Sequence, residues 1–114
     1  MRRAMVGGLA LLAACATAPP VHELAAASAS VGAASEAGAT SDAQASNVLA
    51  RARQELEQAK GAIDAGENER ADGLLIRARA DGDLAASLAR EAKLRAQANE
   101  LSRRADALRS QSQM

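Results

Sequence analysis

The chain has 114 residues, with 14 Lys and Arg against 14 Asp and Glu, one His, one Cys and no Phe, Tyr or Trp. Balanced charge gives no electrostatic case for nucleic acid, and the missing aromatics remove the platforms on which single strands and sugar rings are usually stacked. One cysteine excludes an intramolecular disulfide and any multi-cysteine metal site, and 32 alanines bury so little area each that no deep small-molecule pocket is expected.

At the N-terminus, Arg2 and Arg3 precede an apolar run at residues 6–14, which ends in Leu12-Ala13-Ala14-Cys15. A charged start, an apolar stretch and small residues before a cut describe a secretory signal peptide over residues 1–14. Nine apolar residues fall well short of the roughly twenty that a spanning helix needs. Two arginines directly after Met1 match a twin-arginine signal weakly, so ordinary export is expected. Leu12, Ala13, Ala14 and Cys15 resemble a bacterial lipobox. That resemblance implies cleavage before Cys15, a diacylglyceryl group on its thiol and an acyl chain on its freed amine. No other cofactor is expected. Two or more chains anchor stably, each buried methylene contributing about 0.8 kcal/mol. In the sorting rule for such lipoproteins, Asp after the cysteine retains the protein at the inner membrane. Ala16 therefore implies the outer membrane of a Gram-negative envelope, on its periplasmic face.

Cleavage leaves 12 basic and 14 acidic side chains, a net charge of −2. Residues 15–20 form the lipidated cysteine and a short stem. Pro19-Pro20 keeps the stem extended, and at about 3 Å per residue it holds the folded part within roughly 15 Å of the lipid. The helical domain occupies residues 21–112.

The first helix is expected over 21–37, where Leu24, Val31 and several alanines share a face diluted by serines and Gly32. Gly38 ends it. Ser41-Asp42-Ala43-Gln44 fits a capping box, with Ser41 as cap and Gln44 reaching back. The second helix follows over 42–65, where Ala45, Leu49, Ala52, Leu56, Ala59 and Ile63 alternate small and large residues at heptad spacing. Gly66 is suited to a left-handed C-cap and Asn68 to the next N-cap.

The third helix is expected over 69–111. Leu74, Ala78, Ala85, Leu88 and Ala92 make one stripe, with Leu75 and Leu84 beside it. Leu94, Ala98, Leu101, Ala105 and Leu108 make a second, cleaner heptad, offset from the first as at a stutter. Asp81-Gly82-Asp83 is the one place where a break is credible, because glycine costs up to about 1 kcal/mol in a helix interior.

A short turn at Gly66 makes the second and third helices an antiparallel hairpin. Counting outward from the turn, Ile63 faces Ala71, Leu56 faces Ala78 and Leu49 faces Ala85. The second helix is exhausted near Glu91, so about 30 Å of the third projects beyond it. This overhang carries the clean heptad and is locally basic, and it is expected to pair with another copy, to bind a different protein, or to fray.

Signals for catalysis are missing. His22 is the only histidine, which rules out any site that pairs two histidines. Asp81-Gly82-Asp83 lacks the downstream glutamate of a calcium loop. No phosphate-binding glycine loop or nucleophile elbow occurs.

The lipobox cysteine, Pro19-Pro20 and Glu23-Leu24-Ala25-Ala26-Ala27 resemble an alanine-rich bacterial lipoprotein family, the domain of unknown function 4398. The segment from Ala50-Arg51-Ala52-Arg53-Gln54-Glu55-Leu56 through Ala65-Gly66-Glu67 to Arg77-Ala78-Arg79-Ala80-Asp81 carries the same resemblance. It covers residues 15–100 and implies an envelope location and a helical hairpin. Relatives that continue into a peptidoglycan-binding domain do not extend that property to this chain. The outline is also similar to the major coiled-coil lipoprotein of enteric bacteria, without its terminal linking lysine, since the chain ends in Gln113-Met114. The spacing around Gly66 resembles one tetratricopeptide hairpin without its aromatic positions.

The expected protein is thus all-α: a short N-terminal helix and an antiparallel hairpin with a long, coiled-coil-like C-terminal helix. It is expected to be a non-enzymatic, lipid-anchored scaffold acting through helix–helix contact at Leu94, Ala98, Leu101, Ala105 and Leu108. The membrane, a homo-oligomer or an envelope protein are its expected partners, with no nucleic acid, metal or small-molecule substrate. The alternative is a monomeric adaptor for an envelope complex.

Overall fold

The computed structural model describes residues 17–114. The signal motif Leu12, Ala13 and Ala14 and the lipidation residue Cys15 lie outside the described residues. Three helices follow one another: α1 (Val21–Glu36), α2 (Ala43–Asp64) and α3 (Asn68–Ser112), with a 3-10 turn at Ala39–Ser41. No strand occurs among the described residues, and none of the three helices is long and apolar enough to cross a membrane. The architecture is all-α, with the antiparallel hairpin and the long C-terminal helix that the heptad spacing predicts.

Each helix end has a local cause. Pro20 stands at the N-cap of α1, its carbonyl accepting from the Leu24 amide at 3.0 Å. Gly38, at φ 92°, turns the chain out of α1. The cap of α2 falls one residue later than the capping box predicts. The Ser41 amide donates to the Gly38 carbonyl in the 3-10 turn, while Asp42 is extended and its Oδ2 accepts from the Ala45 amide at 2.9 Å. Between α2 and α3, Gly66 is left-handed at φ 77°. The Glu67 amide reaches the Ala62 carbonyl at 2.8 Å and the Gly66 amide reaches Ile63 at 3.0 Å. This double closure satisfies carbonyls that the helix end would otherwise orphan. Asn68 is not the cap of α3: Glu67 holds that position without a side-chain bond. Asn68 instead donates its side-chain amide to the Thr17 carbonyl, tying the stem to the start of α3.

That tie fixes the direction of α1. With Thr17 at Asn68, and Ser30 and Val31 against Gly82, α1 runs parallel to α3, and α2 runs antiparallel to both. The Arg51–Asp81 pair between α2 and α3 sets the hairpin register within two residues of the one counted outward from Gly66. Alanine dominates the core, with Ala27, Ala34, Ala52, Ala78 and Ala85 fully buried; Leu49 and Leu75 are its largest fully buried side chains. Small side chains let the three backbones approach closely.

Gly82 is the extreme case. α3 continues through Asp81-Gly82-Asp83 without a break, and the glycine is buried. A Cβ at this position would lie 2.9 Å from the Ser30 carbonyl carbon and 3.0 Å from the Val31 nitrogen. The residue that reads as a helix breaker is the notch into which α1 packs, and the contact it permits offsets its poor helix propensity.

Candidate functional site

Beyond Ala89 the core of α3 ends; Ala92 is half-buried and the helix then leaves its neighbours. The last twenty or so helical residues project by about 30 Å. Because α1 runs parallel to α3, the stem meets one end of the rod and the overhang forms the other. Across the 45 residues of α3 the two ends are about 65 Å apart. The short stem thus fixes the near end only.

Leu94, Leu101 and Leu108 are 65%, 64% and 65% exposed, and Ala98 and Ala105 are exposed between them. The structure brings all five onto one face of α3, with no other helix of the described residues against them. At 3.6 residues per turn this face lies roughly 160° around the helix from Ala78, Ala85 and Ala89. The seam is therefore the outward face of α3 and does not continue the hairpin core.

Two residues upstream belong to the same surface. Ile76 lies about five full turns before Leu94 and is 62% exposed. Leu84 stands two heptads before Ala98 and is also exposed, although its neighbours in sequence place it beside the core stripe. The sequence signal for both was their phase relative to the overhang leucines, which a reading that treats α3 as two separate stripes overlooks.

Charged side chains support the overhang along its length. Glu91 pairs with Arg95, Glu100 with Arg103 and Arg104 at 3.0 and 2.9 Å, and Asp106 with Arg109 at 3.3 Å. In each pair the acid precedes the base by three or four residues, the order that suits the helix dipole. Such exposed pairs contribute about 0.3–0.5 kcal/mol each. They stiffen the helix and leave its apolar face bare.

The hairpin holds one further cluster. Arg51 donates from Nε and Nη2 to the two carboxylate oxygens of Asp81, at 2.7 and 3.0 Å. This hydrogen bond holds the Asp81 carboxyl below its ordinary range and raises the Arg51 guanidinium. Glu55 sits beside the pair with Oε2 buried and unpartnered among the described residues. Its carboxyl is pushed up by burial first and by the Asp81 carboxylate second. The geometry is that of a clamp between α2 and α3. Among the described residues no group of three His, Cys, Asp or Glu is placed to hold a metal ion, and His22 is exposed on α1.

A family model described as Domain of unknown function (DUF4398) matches residues 22–101, which takes in the packed body and the first half of the overhang. No curated protein and no solved structure matches the chain.

Proposed function

From the premise that the chain belongs to the DUF4398 family, we propose that it is a lipid-anchored scaffold of the cell envelope. In this reading Cys15 carries the lipid, the rod stands on the periplasmic face of the outer membrane, and the work is helix–helix association, without catalysis. One observation carries the proposal. Three leucines about two-thirds exposed stand in register on a stretch of α3 against which neither α1 nor α2 packs. An isolated helix of this length is marginal in water, and fully burying a leucine is worth about 1.5–3 kcal/mol. Both facts favour an overhang that is covered when it works.

Sedimentation equilibrium on residues 17–114, which contain the whole packed core, tests the association. The wild type is expected to form a dimer or trimer, and Leu101→Asp to be monomeric with unchanged helix content. A wild type that stays monomeric at high concentration contradicts self-assembly and leaves the adaptor role. The anchor is tested separately: labelled palmitate is expected on the full chain and absent from Cys15→Ser.

A further inference from the structure

The residues that flank the overhang leucines carry charge of one sign. With Leu94, Leu101 and Leu108 at position d of a heptad, Ala98 and Ala105 fall at a. The neighbouring e and g positions are then the rims of the contact. Arg95, Ser102 and Arg109 stand at e, and Arg90, Gln97, Arg104 and Gln111 at g. All of them are exposed, and none is acidic. Residues 90–112 hold 6 basic and 3 acidic side chains, a net charge of +3. The acids lie off the rims, Glu91 at the a position before Leu94, Glu100 at c and Asp106 at b. Each already bonds an arginine of its own helix. Such exposed bonds are weak and exchangeable, and they leave the rims net basic.

We infer that the partner fitting this seam best is a helix of another protein, with leucines along one stripe and acidic side chains on both rims. The inference rests on the helix–helix reading above and goes beyond it in naming the partner's chemistry. In a coiled coil the rim residues pair across the interface and set the choice of partner. A second copy in parallel places Arg90 against the partner subunit's Arg95 and Arg104 against the partner subunit's Arg109, which like-charge repulsion disfavours. An antiparallel copy faces e with e and g with g, again without an acid. A second copy thus matches the leucines alone and covers the seam weakly. A helix with acidic rims matches leucines and arginines together and displaces it. The chain shows the same contact internally: Arg51 of α2 holds both carboxylate oxygens of Asp81 on α3, at 2.7 and 3.0 Å. The planar guanidinium fork suits that two-point grip.

The test uses two labelled synthetic helices of three heptads, alike in leucine at d and alanine at a. They differ only at the rims, which are glutamate in one and lysine in the other. Fluorescence anisotropy against the full chain is expected to show the glutamate helix binding at least about tenfold tighter than the lysine helix. The gap narrows as salt rises. In a chain carrying Arg90→Glu, Arg95→Glu, Arg104→Glu and Arg109→Glu the order reverses, with far-UV circular dichroism verifying that the variant stays helical. Equal affinity for the two helices, or binding of neither, overturns the inference. So does binding to phosphatidylglycerol vesicles without binding to the glutamate helix, which assigns the seam to a lipid surface. A chain that is monomeric in sedimentation yet selects the glutamate helix supports the inference and removes the second copy. A self-associated chain that the glutamate helix fails to displace keeps the second copy and overturns the inference.

Discussion

The two halves of α3 are built from the same residue types and have opposite fates. From Ala71 to Ala89 most of its alanines and leucines, Ala80 and Leu84 excepted, pack against α1 and α2; from Leu94 to Leu108 the same alternation stands in water. The heptad spacing does not separate the halves, although the covered one holds five Leu and Ile and two glycines to the overhang's three leucines. The difference is what the rest of the chain is long enough to cover. α2 has 22 residues and α1 has 16, against 45 in α3, and both shorter helices lie against its first half. A heptad by itself states that a face is meant to be covered, and only the lengths of neighbouring elements show whether the cover is internal.

The sharpest way to break the comparison is to remove equivalent leucines from the two halves. Leu49 in the body is 1% exposed, and Leu49→Ala is expected to cost about 2–5 kcal/mol in urea unfolding. Leu101→Ala, tested at a concentration where the chain is monomeric, is expected to change stability by less than about 0.5 kcal/mol. Equal losses at the two sites would mean that the overhang is packed within its own chain.

Next in size is a pair of glycines in the covered half. Gly82→Ala forces a Cβ into the Ser30 backbone and is expected to cost about 1–3 kcal/mol. Nothing lies within 4 Å of a Cβ at Gly73, so Gly73→Ala is expected to stabilise by up to about 1 kcal/mol. Thermal unfolding of the two variants should move in opposite directions, and a shared direction would remove the notch that seats α1.

Much of this was legible in the sequence. The heptads of α2 and α3 gave both helices, Gly66 gave the turn, and counting from it gave the hairpin register and the overhang. What escaped did so for physical reasons. Ser41 and Asp42 are both good caps, and only the 3-10 turn decides between them. Asn68 is a strong capping residue that the stem recruits instead. Gly82 carries the propensity of a breaker, and its use as a contact surface depends on α1, which is distant in sequence. Ile76 and Leu84 reveal their exposure only when α3 is read as one unbroken helix. For Cys15 and the lipobox, the sequence remains the sole source.

The smallest expected effect concerns the clamp in the body. The folded-state carboxyl of Glu55 is raised above its ordinary 4.5. Stability should therefore increase as pH falls through that raised value, where the folded chain takes up a proton that the unfolded chain does not. Asp81 is depressed below its ordinary 3.8, so its contribution is fully present above 3.8 and is lost as pH falls further. A shallow stability maximum in mildly acidic solution is expected, and Asp81→Asn should flatten it. An unaltered profile in that variant would show that the clamp does not couple α2 to α3.

The central claim is that the free half of α3 is an association surface, and amide hydrogen exchange at rising protein concentration tests it most directly. Amides of residues 94–110 are expected to exchange quickly in dilute protein and to gain protection as concentration rises. Those of residues 74–89 should be protected throughout. Overhang protection that does not change with concentration, in a chain that stays monomeric, would contradict the account.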